Sequence, residues 1–119
     1  MDHDQNEKMC ETIVGVDFPH LEWTDWHKAG ANGRVKIVYS GGKRLRLLEL
    51  PTGFNEEEWC RKGHWGYVLE GEFVIHFADR KAVCRPGMGF VIPDGDPHRS
   101  QGYDQGPTLV FVVDEVDPK

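Results

Sequence analysis

The best-directed chemical group in the chain is one imidazole, at the end of the run Pro86-Gly87-Met88-Gly89-Phe90-Val91-Ile92-Pro93-Asp94-Gly95-Asp96-Pro97-His98. Pro86-Gly87 turns the chain into an extended stretch that stops at Pro93, and Gly95 permits a backbone conformation that other residues resist. Pro97 then favours an extended Asp96 and stiffens the approach to His98. The outcome is a sharp corner that fixes the direction of the His98 ring. Asp94 and Asp96 belong to the turn chemistry of that corner, not to acid–base work. Upstream, Glu58, Cys60 and His64 supply a carboxylate, a thiol and a second imidazole within seven residues. All are side-chain types that can ligate a metal.

The elements that must position these groups read as short strands. Val35, Ile37 and Tyr39 alternate with Lys36 and Val38, the pattern of a half-buried strand. Gly41-Gly42 offers the positive φ angles of a tight hairpin, and Lys43 to Leu50 returns as a strand that stops at Pro51. Residues 67–69, 73–77, 82–84, 90–92 and 109–113 continue the series, with Gly71 and Asp79-Arg80 between neighbours. Residues 54–62 are the nearest approach to a helix, and Glu58 and Cys60 project to one face only if that stretch is instead extended. Many short strands with regular turns predict an all-β sandwich or barrel. The expected organisation is a loose arm over residues 1–10 and one domain over 11–119.

From Gly87 to His98 the chain resembles the cupin family, whose second motif, G-x5-P-x-G-x2-H, is matched by Gly87, Pro93, Gly95 and His98. The Asn often found four residues after this His is Gly102 here. Tyr67-Val68-Leu69-Glu70-Gly71-Glu72 is similar to the strand and turn that close the first cupin motif, and Pro51-Thr52-Gly53 to the turn that opens it. The resemblance covers roughly residues 35–113. It implies a single jelly-roll-like cupin barrel of two facing antiparallel sheets, with a pocket at its wider end.

In typical cupins the first motif is H-x-H-x3-4-E, and its three residues join the second-motif His around a metal. This chain has no HxH; in the family's register the two His positions are Glu58 and Cys60, and the Glu position is His64. The resemblance therefore implies a ligand set of Glu58, Cys60, His64 and His98. Carboxylate, thiolate and two imidazoles suit a divalent ion, Zn²⁺ foremost, with Fe²⁺ or Ni²⁺ as further choices. Mg²⁺ and Ca²⁺ prefer oxygen ligands. A catalytic ion there would polarise a substrate oxygen or activate water. The alternative is a metal-free barrel that binds or senses a small molecule, with Cys60 an inert thiol and His64 a structural hydrogen-bonding group.

Composition narrows the partners. The 119 residues are 39% hydrophobic and 29% charged, with no apolar run near the ~20 residues a membrane span needs. A cytoplasmic location is the expectation. The net charge of −6 sits mainly in the ends, −3 in residues 1–11 and −2 in residues 114–119. No basic stripe suggests a nucleic-acid surface. Three cysteines without CxxC spacing do not read as a disulfide framework, a Cys60–Cys84 bridge is open but disfavoured in a reducing cytosol, and Cys84 reads as a small core residue. Trp59, Trp65, Tyr39 and Tyr67 are expected in the core. His20 and His27, near Trp23 and Trp26, read as surface or dimer contacts. Arg44 and Arg46 share a strand face, ordinarily a solvated one, though either would suit a substrate carboxylate. The expected partners are a small-molecule ligand and a second copy of the chain, as a homodimer.

Overall fold

The computed structural model describes residues 14–28 and 31–116, and in them the only helix is a single 3-10 turn, Phe18–His20. Nine strands follow: β1 Thr24–Lys28, β2 Ala31–Ser40, β3 Lys43–Leu50, β4 His64–Glu70, β5 Phe73–Phe77, β6 Lys81–Cys84, β7 Gly89–Ile92, β8 His98–Gln101 and β9 Thr108–Glu115. The expected arm over residues 1–10 lies outside the described residues. No described helix is long and apolar enough to cross a membrane.

The strands form two antiparallel sheets, β1-β2-β3-β9-β4-β7 and β6-β5-β8. Their alternation decides which side chains meet. Leu48 and Leu50 of β3, Val68 of β4, Phe90 and Ile92 of β7 and Val110 and Val112 of β9 face inward, where Phe73 and Ile75 of β5 pack against them. The Phe73 and Phe90 rings lie 5.1 Å apart across this seam. Cys84 joins the same buried cluster, as expected of it. Each such buried side chain contributes roughly 1.5–3 kcal/mol.

Strands β1 and β8 lie outside the series read from the pattern. Neither carries apolar alternation; β1 is held by its full register on β2, and β8 by pairing with β5. Residues 54–62 form no helix. Asn55 bridges Gln101 and Cys60 bridges His98, so this segment runs beside β8 as a broken fourth strand of the smaller sheet. The two sheets face each other without closing into a continuous hydrogen-bonded barrel. Phe18 packs edge-on against Phe111 at 5.8 Å, which lays the 3-10 turn over the outer face of the larger sheet.

Four aromatics expected in the core are exposed by 40–50% instead: Tyr39, Trp59, Trp65 and Tyr67. In β4 the inward positions are His64, Gly66 and Val68, so Trp65 and Tyr67 take the outer face. Gly66 is what the inner face requires there. A Cβ at that position would sit 2.1 Å from the Phe111 carbonyl oxygen and 2.7 Å from the Phe90 ring.

Candidate ligand-binding cavity

A cavity of about 110 Å³ opens between the sheets. Its floor is apolar, made by Leu48 and Leu50 of β3, Phe54, Phe73 and Val112. Trp26 of β1 closes one side, its ring 5.8 Å from that of Phe54. The polar end gathers side chains from five segments: Arg44 and Arg46, Glu56 with Cys60 and Lys62, His64, His98 with Ser100, and Asp114.

His98 is fixed as the corner predicts. Gly87 and Gly95 take φ of 93° and 90°, the left-handed region that glycine enters at little cost. The Gly95 N–H donates to the Arg61 carbonyl at 2.8 Å, and the Asp94 carboxylate accepts from the Gly63 N–H at 2.7 Å. The corner is thereby tied to the segment before β4. His98 and Cys60 then exchange both backbone hydrogen bonds, at 2.9 and 2.7 Å. In such an antiparallel pair the two side chains project to the same face, and both line the cavity.

The His98 ring is 1% exposed as a residue and its Nδ1 lies 2.8 Å from the Asp96 carbonyl oxygen. A carbonyl only accepts, so Nδ1 carries a proton, and in the tautomer this selects Nε2 presents a bare lone pair. That Nε2 is buried and has no protein partner. The His64 ring lies 5.4 Å away at 71°. Burial, then the nearby charge of Arg46 and the neighbouring His98, push its pKa down to about 4, so His64 is neutral at pH 7.

Asp114 is 1% exposed and anchors the two arginines. Arg44 donates to both of its oxygens, Nε to Oδ1 at 2.9 Å and Nη2 to Oδ2 at 2.5 Å, while Arg46 reaches Oδ2 through Nη2 only at 3.5 Å. Burial, the largest effect, pushes the Asp114 carboxyl up, but the Arg44 hydrogen bond and the charges of both arginines outweigh it and hold the group below the usual carboxylate range. Desolvation and the repulsion of Arg44 lower Arg46, and hydrogen bonding to Asp114 raises Arg44.

Of the four expected ligands, Cys60, His64 and His98 line one cavity and Glu58 does not; it is exposed. The correction has a geometric cause. Between the bridges to Gln101 and His98, the chain from Asn55 to Cys60 is two residues longer than the strand it runs beside. The surplus bulges outward, so the alternation that would align Glu58 with Cys60 is broken. The acid that turns inward is Glu56, whose Oε1 accepts from the Ser100 N–H at 3.0 Å. Among the described residues no three His, Cys, Asp or Glu side chains form a group that could hold a metal ion. Together with the outward Glu58 and the inward Arg46, this means that the expected four-ligand centre does not fit.

The arginines also depart from the ordinary reading of a solvated face, since both point inward. Their parity with Leu48 and Leu50 was the available signal, as was that of Asp114 with Val110 and Val112. Glu56 carried no comparable signal.

The sequence family described as "Cupin domain" matches residues 46–114. No curated protein matches the chain significantly. Among solved structures, KdgF from a Halomonas species superposes with a TM-score of 0.66 at 20% identity, over 82% of this chain and 89% of its own. A sugar phosphate isomerase of the cupin superfamily from Silicibacter pomeroyi gives 0.66 at 15% identity, over 87% and 76%. The Fe(II) form of HppE with an alternative substrate gives 0.69 at 12% identity, over 86% and 60%. At these identities the structures share the fold, and the fold carries iron in HppE. With its family match spanning more than half of the sequence, the chain belongs to the cupin domain family.

Proposed function

We propose that this cupin binds a small polar organic molecule in the cavity between its sheets, using its own side chains. One observation carries the reading: Arg46, His64, Cys60 and His98, from four separate segments, converge on a cavity whose floor is apolar. Apolar walls with a few convergent polar groups are the composition of small-molecule sites. The relatives' names are compatible with such a role, the sugar phosphate isomerase among them.

A second reading, a divalent ion on Cys60, His64 and His98, with Zn²⁺ ahead of Fe²⁺ or Ni²⁺, is favoured by the bare Nε2 of His98 beside a neutral His64. It requires the three side chains to draw closer together than they stand. One preparation tests both. Ligand-observed NMR against a panel of polar fragments should give hits that a cavity-filling Leu48→Trp variant loses. Metal analysis after refilling under reducing conditions should find no stoichiometric ion. A tightly held ion lost in Cys60→Ser would establish the second reading, and fragment hits that survive Leu48→Trp would overturn the first.

A further inference from the structure

Among the described residues two buried side-chain polar atoms lack a hydrogen-bond partner, Arg46 Nε and His98 Nε2, and both belong to residues lining the same cavity. A buried polar atom left unpaired is costly, because it has lost water without gaining a partner. Two in one cavity describe what completes it. The Arg46 Nε–H is a donor and needs an acceptor. The His98 Nε2 lone pair needs a donor, because Nδ1 already gives its proton to the Asp96 carbonyl.

Charge sharpens the acceptor. Three cations, Arg44, Arg46 and Lys62, line the cavity against two acids, Glu56 and Asp114. Arg44 takes both oxygens of Asp114, and Arg46 has one long contact with it. Arg46, at 12% side-chain exposure, is therefore less fully paired with Asp114 than Arg44 is. An anionic oxygen answers it better than a neutral carbonyl. A volume of about 110 Å³ has room for a ligand of a few heavy atoms.

We propose that the cavity recognises a small hydroxycarboxylate, its carboxylate accepting from Arg46 Nε–H and its hydroxyl donating to His98 Nε2. This rests on the small-molecule reading above and names the class of ligand. It makes Arg46 and His98 separable determinants, one reading charge and the other reading the hydroxyl.

The test uses lactate and glycerate as probes, with propionate lacking the hydroxyl, lactamide lacking the charge, and inorganic phosphate as a competing anion. Titrations are followed by ¹H–¹⁵N NMR at the Arg46 Nε–H and at the His98 ring nitrogens. Lactate or glycerate should bind at least tenfold more tightly than propionate and than lactamide, shifting both resonances. Arg46→Met should erase the preference over lactamide and keep the preference over propionate; His98→Phe should do the reverse. Arg46→Lys, which keeps the charge without Nε, is the second variant should Arg46→Met not unfold cooperatively, and it too should lose at least tenfold. Equal binding of lactate and propionate, stronger binding of phosphate, or shifts confined to other residues would overturn the assignment. If neutral fragments bind in the cavity and the acids do not, this class falls while the small-molecule reading stands; if neither binds, both fall.

Discussion

Replacing Asp114 by Asn leaves two inward-facing guanidinium groups without their counter-ion. In the parent the carboxylate is 1% exposed and receives two hydrogen bonds from Arg44 and a longer one from Arg46. Breaking a buried pair from one side costs about 3–5 kcal/mol, because the remaining charge stays desolvated. Arg44 is 29% exposed at its side chain and can turn partly to water, whereas Arg46, at 12%, cannot. The lower end, about 3 kcal/mol, is therefore expected. With an unfolding entropy of roughly 2.1 cal/mol/K per residue, a domain of this length loses about 12 °C in Tm. Calorimetry at pH 7 measures this directly. Adding Arg46→Met to Asp114→Asn should recover part of the loss, since it removes the charge with least access to water. The acid limb supplies a second reading. The Asp114 carboxyl is held below its unfolded value near 3.9, so its contribution is complete above that pH and disappears as pH falls through the lower folded value. The Asn variant should lack that loss. A fall in Tm under about 4 °C, or an Arg46→Met change that adds its own full penalty, would refute the view that Asp114 holds this end of the cavity together.

His64 predicts a different pH dependence. Its folded pKa of about 4 lies below the unfolded 6.5, so only the unfolded chain gains a proton as pH falls between these values. Stability should decline across that window by about 3 kcal/mol and then level off, and the difference should vanish in His64→Gln when urea midpoints are compared pH by pH. Gly66→Ala should cost at least about 2 kcal/mol, since its Cβ meets the Phe111 carbonyl, while Gly15→Ala, with nothing within 4 Å, should be neutral in the same thermal scan. On the outer face of the larger sheet, Trp65 and Tyr67 of β4 lie beside Val91 of β7, which is 77% exposed. We expect a second copy to cover this flat apolar row as a homodimer. Light scattering should give twice 13.6 kDa, falling to one chain in Val91→Glu, and a monomeric parent would remove the expectation.

The pattern of the sequence located strands well where one parity alone was apolar. In β9, Val110 and Val112 go inward with Thr108 and Asp114, and in β3 Leu48 and Leu50 carry the inward face on to Arg46 and Arg44. In β4 the run Tyr67-Val68-Leu69 is apolar on both parities, and alternation then cannot say which face is inner. Strand pairing decides it, and the aromatic residues went outside. His98-Arg99-Ser100-Gln101 has no apolar residue, so β8 exists through its partners β5 and the bridged segment rather than through its own pattern. Glu58 was misplaced for a further reason. A register carried over from a motif assumes equal numbers of residues on adjacent strands, and two surplus residues between Asn55 and Cys60 are invisible without the partner.

The inward turn of Arg46 does more than correct an assignment, because it changes which occupant the cavity favours. A divalent ion in the cavity is repelled by that guanidinium, whereas a monoanion in the same place is attracted by it. Neutral His64 offers a cation a lone pair but no charge. Glu56 spends one carboxylate oxygen on the Ser100 N–H, and Asp114 is committed to the arginines. Cys60, the remaining lining side chain able to ligate a cation, would do so as a thiolate. A metal in this cavity would therefore have to be held against the charge of Arg46, with Cys60 among its ligands. A carboxylate needs no such compensation, and meets Arg46 and His98 as they already stand.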